Sequence, residues 1–252
     1  MLDLHVHLIG HQERKADREA LRRYLGAAKS QGLQTIGFSD HDMFWEELNF
    51  DLIRQVAAET PELEVLVGLE VDYRPGEEER IRGMLAQFPF DYVIGSVHEI
   101  YGWPFDMPDQ EGSYRRADPD ELYQRYFEIV AQAAQSGLFQ IIGHLDLIKL
   151  FGVRPSRDIL EHAAPALSEI AARALTVEIN TNGRYKPVGE FYPERKLIQE
   201  IQRRDISFTL GSDAHQPEVV GRDLPEAAEL LRSVGVREIA SFSGGQKIRR
   251  PL

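Results

Sequence analysis

Seven short apolar runs, each followed by a longer amphipathic segment, constrain this chain more than any other feature. The runs are "LDLHVHL", "LQTIGF", "LEVLVGLEV", "FDYVIGSVH", "LFQIIGH", "LTVEIN" and "ISFTLGS". Each is strand-like in length and rich in Val, Ile, Leu or Phe, which suits parallel strands covered by helices. The segments between them read as helices. In "ADREALRRYLGAAKSQG", Leu21, Tyr24, Leu25 and Ala28 follow the i, i+3, i+4, i+7 spacing of one buried stripe, and Gly32 is placed to end it. Asp118, Pro119 and Glu121 form a helix start, and Leu122, Tyr126, Ile129 and Ala133 continue its apolar face. Further helices are expected from about Arg157 to Arg173, after Pro193, and from near Pro225 to just before Gly235. The alternation continues without a repeat, a composition shift or a serine- or glycine-rich linker. One α/β domain over residues 1–252 is the economical reading, and about seven strand–helix units favour a closed barrel over an open sheet.

The exits of these runs carry the chemistry. His5 and His7 lie in the first, Asp40 and His41 follow the second, and Glu70 ends the third. His98 and His144 end the fourth and fifth, and Asp213 and His215 follow the seventh. In a parallel barrel the C-terminal strand ends converge on one rim, where active sites are built. Alternate residues of a strand share a face, so both rings of His5-x-His7 can point inward, and Asp213-x-His215 repeats the arrangement. So many imidazoles and carboxylates need a compensating positive charge, and neutral imidazole with carboxylate suits zinc, manganese or iron. His5, His7, His11, His41, Glu70, His98, His144, Asp213 and His215 are too many ligands for one ion and suit two or three. Asp40, Asp42, Asp72 and Asp146 stand beside these candidates and are expected to orient them or to cap helices. His162, within a helical segment, is expected to be structural.

Composition narrows the function. The chain has no cysteine, which removes disulfides, thiolate ligands and cysteine nucleophiles. A formal charge of −12 counts against broad binding to nucleic acid. No apolar run approaches the length of a membrane span and no secretory leader is visible, so a cytoplasmic location is expected. Oligomeric state is not readable from these features.

The series "DLHVH", "GFSDHD", "GLEVDY", "GSVH", "GHLDL" and "GSDAH" resembles the polymerase and histidinol phosphatase (PHP) superfamily over nearly the full length. "GHLDLIKLFG", "EINTNGRYKPVGEFYP" and "LGSDAHQPEVVG" look like its histidinol-phosphate phosphatase branch. The resemblance implies a distorted barrel of seven βα units with a trinuclear metal site. It implies that His5, His7, Glu70 and Asp213 hold one ion, and that Glu70 bridges to a second held with His98 and His144. His11, His41 and His215 would hold the third, although only "LIG" separates His11 from the first motif, where the branch usually has a longer segment.

A phosphate monoesterase acting on L-histidinol phosphate is therefore expected, with a metal-bridging hydroxide as nucleophile. Asp213 is the expected proton donor to the leaving oxygen and His215 the next candidate. Arg184, Lys149 and Lys186, just past strand ends, are candidates for the phosphate. Trp103 and Asp106, in "EIYGWPFDMPDQEGSY", are candidates for the organic part. The alternatives are a related phosphoesterase acting on a nucleotide, a nucleic-acid end or phosphotyrosine, and a non-catalytic metal-binding module.

Overall fold

The structure, a computed structural model, describes residues 1–11 and 14–252. All seven apolar runs become strands: β1 (Leu2–Val6), β2 (Thr35–Phe38), β3 (Glu64–Asp72), β4 (Tyr92–Ser96), β5 (Ile141–Ile142), β6 (Thr176–Asn180) and β7 (Ser207–Gly211). They lie side by side in chain order, each parallel to the next. The seam between β7 and β1 is closed just beyond β7. There the His7 amide donates to the Ala214 carbonyl at 2.9 Å, and the Ala214 amide to that of His5 at 3.2 Å. Buried Asp3 ties the same seam, accepting the Ser212 and Gly221 amides at 2.9 Å each. The result is a distorted (β/α)7 barrel.

The helices are α1 (Arg18–Ser30), α2 (Phe50–Ala58), α3 (Glu78–Leu85), the short α4 (Glu111–Tyr114), α5 (Pro119–Gln135), α6 (Ile159–Ala172), α7 (Arg195–Arg203) and α8 (Leu224–Ser233). Their starts follow side-chain chemistry. Asp118 Oδ1 accepts the amides of Asp120 and Glu121 and opens α5. The helix expected from Arg157 begins two residues later, because Asp158 accepts the Leu160 amide and takes the cap position. The stripe Leu21, Tyr24, Leu25 and Ala28 is buried against the barrel.

Strand–helix alternation does not run to the end of the chain. After α8 comes an antiparallel hairpin, β8 (Glu238–Ser243) and β9 (Gln246–Pro251). Gly244 and Gly245 make its turn at φ +54° and +80°, a backbone open to glycine at no steric cost. The hairpin lies across the N-terminal strand ends. Asp91, ahead of β4, accepts the amides of Gly244 and Gly245, and Lys247 Nζ donates to the Ala174 carbonyl ahead of β6. Phe242 reaches inward to the Tyr92 ring, 6.0 Å between centroids. Tyr92 in turn fills the barrel interior and donates to the Leu4 carbonyl at 2.7 Å. Gly37 and Gly68 face that ring, and a Cβ at either would collide with it. Side chains thus pack the lower barrel solidly and leave the C-terminal rim for polar groups. Among the described residues no helix is long and apolar enough to cross a membrane.

Candidate metal centre

The inward face of each strand supplies one or two polar side chains to the upper rim. Glu70, almost fully buried at the end of β3, stands at the centre. Its Oε2 lies 3.3 Å from His5 Nε2, 3.6 Å from His7 Nε2 and 2.9 Å from His41 Nδ1. Its Oε1 lies 2.9 Å from His144 Nε2 and 3.7 Å from His98 Nε2. Asp213 Oδ1 lies 3.3 Å from His7 Nε2 and 3.4 Å from His215 Nδ1. Asp213 also sits at φ +52°, a left-handed conformation that Asp tolerates better than most residues, and this turns its carboxylate inward past the strand end.

Three groups of donor atoms emerge, each close enough to share one ion: His5, His7 and Glu70; Glu70, His98 and His144; and His7, His41 and His215. Two donors about 2.1 Å from one tetrahedral ion stand roughly 3.4 Å apart, close to the separations around Glu70 and Asp213. A second observation supports the fit. His5 Nε2, both nitrogens of His7, His41 Nε2, Glu70 Oε2, His144 Nδ1 and His215 Nε2 are buried without a hydrogen bond. Leaving one buried polar atom unsatisfied costs about 1–3 kcal/mol, so divalent ions at these positions would remove a large strain. His7 belongs to two groups, not to one as the resemblance implied. His11 lies at the exposed edge, its ring 4.5 Å from that of His215 and 5.2 Å from that of His41.

The electrostatics follow from burial. Burial pushes the His5 pKa down, but Glu178, Glu70 and Asp213 outweigh it and hold the ring well above its ordinary value. His98 is similar: burial opposes the charge, but Asp72 and Glu70 lift it to about 10. His7, buried and facing His215 and His41, is driven well below the ordinary value. Burial would raise Glu70, but the surrounding imidazoles hold it well below the carboxylate range, and Asp213 likewise.

A set of supporting residues was not expected from the sequence. Glu178, buried in the middle of β6, meets His5 Nδ1 through Oε1 at 2.6 Å and accepts the His144 amide through Oε2 at 2.8 Å. Asn180 and Asn182 donate to Asp213 Oδ2 at 3.4 and 3.2 Å. Thr176, Glu178 and Asn180 alternate along one strand, and an acid inside an apolar run was the available signal. The flanking aspartates behave as expected only in part. Asp72 accepts the His98 amide at 3.3 Å and stands 3.5 Å from its Nδ1. Asp40 accepts the amides of Leu8 and Ile9, so it fixes the loop after β1 and not a ligand ring. Asp146 engages Lys149 and the Glu194 amide, and Asp42 engages the Asp72 amide and Arg80. His162 is structural, buried against Asp120 at 2.9 Å.

A cavity of about 300 Å³ opens above the cluster. Asp106 and Lys186 line it, as does Arg74, which the sequence reading did not single out. Three expected contacts are elsewhere. Lys149 is fully buried, its ammonium taken up by Asp146 Oδ2 at 3.1 Å, Glu190 Oε2 at 3.3 Å and the Phe191 carbonyl at 2.6 Å. Three acceptors saturate three N–H donors, so it has none left for phosphate. Arg184 turns outward to Asp223 at 3.2 Å and over the Phe191 ring. Trp103 donates to Gln110 and packs on Phe105 and Tyr114, away from the cavity.

A parallel barrel whose C-terminal rim gathers buried imidazoles around one carboxylate defines a class of proteins built to hold divalent ions. The PHP domain family model matches residues 3–182, and the chain belongs to that family. A probable histidinol-phosphatase of Deinococcus radiodurans is 39% identical over 94% of each chain. The histidinol-phosphatase of Lactococcus lactis is 27% identical over 96% of this chain and 94% of its own. The crystal structure of histidinol phosphate phosphatase from Lactococcus lactis, complexed with zinc, L-histidinol and phosphate, superposes with a TM-score of 0.78. It is 25% identical and covers 98% of both chains. A putative histidinol phosphatase of Listeria monocytogenes shares the fold, with a TM-score of 0.70 at 20% identity.

Proposed function

We propose that this chain hydrolyses L-histidinol phosphate to L-histidinol and phosphate, with two to three divalent ions of zinc, manganese or iron. The observation that carries the reading is the convergence of three donor groups on one cavity, with buried nitrogens that make no hydrogen bond. His5, His7, Glu70 and Asp213 would hold one ion, Glu70, His98 and His144 a second, and His41 and His215, with His7 and His11 beside them, a third. Such ions would supply a nucleophilic water at neutral pH and neutralise the phosphoryl oxygens.

The chain's own residues do the rest. Glu178 turns His5 so that Nε2 faces the centre. The His215 ring nitrogen Nδ1 lies 3.1 Å from the Asp213 carbonyl, and donation there leaves Nε2 as a lone pair. His215 is then a ligand, and the proton falls to Asp213, an anion in the resting chain. Hydrolysis breaks the phosphorus–oxygen bond of the ester. Asp213 takes the proton that the attacking water gives up and delivers it to the leaving alkoxide, so the group ends as it began. Lys186 is proposed to meet phosphate oxygens and Asp106 the ammonium of the substrate.

The test is phosphate release by zinc- or manganese-loaded protein from L-histidinol phosphate beside a nucleoside monophosphate and phosphotyrosine. A kcat/KM for L-histidinol phosphate at least tenfold above the others is expected. Preference for either competitor would sink the assignment.

A further inference from the structure

Four large apolar side chains are exposed among the described residues: Met43 at 68%, Tyr101 at 59%, Met107 at 52% and Tyr185 at 53%. All four lie on loops that leave C-terminal strand ends. Tyr185 has local partners, its ring 3.4 Å from the Arg222 guanidinium and its hydroxyl donating to Asp223. Met43 and Met107 have no such explanation. They come from different loops, after β2 and after β4, and both border the cavity above the metal cluster. Leu147 and Leu150 give the same cavity an apolar wall. Exposed apolar groups gathered at the mouth of a polar cavity mark a ligand.

Their chemistry selects the part of the ligand. A thioether offers nothing to a phosphoryl group, which belongs deeper, among the imidazoles. It does offer a flexible, polarisable contact to the edge or face of an aromatic ring. Asp106, next to Met107 and on the same cavity, supplies an acceptor for a polar ring edge or an ammonium. We propose that Met43 and Met107 clasp the imidazole ring of the substrate from two sides and are specificity-determining residues for the reaction. The proposal rests on the histidinol phosphate reading above.

The chain has four methionines, so methyl-13C methionine labelling gives four resonances. Met84 is buried on α3 and serves as the internal reference. Met43→Leu and Met107→Leu assign the two signals at the mouth. In zinc-loaded protein saturated with inorganic phosphate, adding L-histidinol should move both of those signals upfield by the ring current and leave Met84 in place. Met43→Ala and Met107→Ala should each raise KM for L-histidinol phosphate about two- to tenfold. Each should leave KM for phosphoethanolamine unchanged, since that ester keeps the phosphoryl and ammonium groups but has no ring. If both methyl signals stay still while L-histidinol inhibits, or if both esters weaken alike, the clasp is wrong. If the unaltered protein neither turns over L-histidinol phosphate nor is inhibited by L-histidinol, the substrate assignment fails first, before any variant is made, and the clasp falls with it.

Discussion

Glu178 commits both oxygens to the centre, one to the His5 ring and one to the His144 backbone amide. A carboxylate behind an imidazole fixes its tautomer and aim, and losing such a partner commonly weakens metal binding about 10–100-fold. Glu178→Gln should show a loss of that size in competition against a chromogenic chelator, with the far-ultraviolet spectrum intact. Unchanged affinity would remove Glu178 from the centre. Asp213→Asn is expected to slow L-histidinol phosphate more than p-nitrophenyl phosphate, whose leaving group needs little protonation, and general acid catalysis is commonly worth ~10²–10⁴. Equal slowing of the two esters would remove Asp213 as the proton donor to the leaving alkoxide. The histidines were legible because period-two strands in a parallel barrel deliver them to one rim. Glu178 was not, because nothing local says which ring 173 positions away it will face. The long cations were misplaced for a related reason. A position just past a strand end does not decide which way a lysine or arginine turns, and Lys149 and Arg184 each met a carboxylate first.

The elements divide the work between the two ends of the barrel. At the upper end, Gly211 closes β7 where a Cβ would lie 2.6 Å from that of His5 and closer still to Glu178. Gly211→Ala should therefore lower both metal stoichiometry and thermal midpoint, read by elemental analysis and a melting curve. A variant with full metal content would mean that the neighbours yield without cost. At the lower end, Phe242→Ala empties a buried site against Tyr92, and a Phe→Ala cavity costs about 3–5 kcal/mol. Its urea midpoint should drop while kcat per folded molecule holds, since conserving activity is not the task of that end. The seven strands were readable from apolar runs of the right length, and α1 and α5 from stripe and cap. The hairpin was not, because its signal is two adjacent glycines between short, half-polar strands, too weak to stand out beside the seven apolar runs.

Across the whole molecule, the ion-free protein holds protons at the candidate metal centre. His98 titrates near 10, so the stability it gives is complete below its ordinary value of 6.5 and is lost as pH rises through 10. His5 and His41, also raised, act in the same direction. Glu70 and Asp213, held low, contribute above the ordinary carboxylate range and lose that contribution as pH falls below it. His7, also held low, works against the fold once pH drops under 6.5. The ion-free thermal midpoint should therefore fall between pH 7 and 10. Zinc should raise it and release protons at pH 7, detectable with an indicator dye in weak buffer. No release at pH 7 would contradict the raised histidines. The stopper formed by Tyr92, Phe242 and the hairpin has a kinetic corollary. With the described residues filling the lower end, access is expected through the C-terminal rim, and traffic should run first in, last out: the phosphoryl end entering first, the alcohol departing first and phosphate leaving last. Inorganic phosphate should then inhibit competitively and L-histidinol in mixed fashion, a sequence of departures written into the end of the molecule that never meets the substrate.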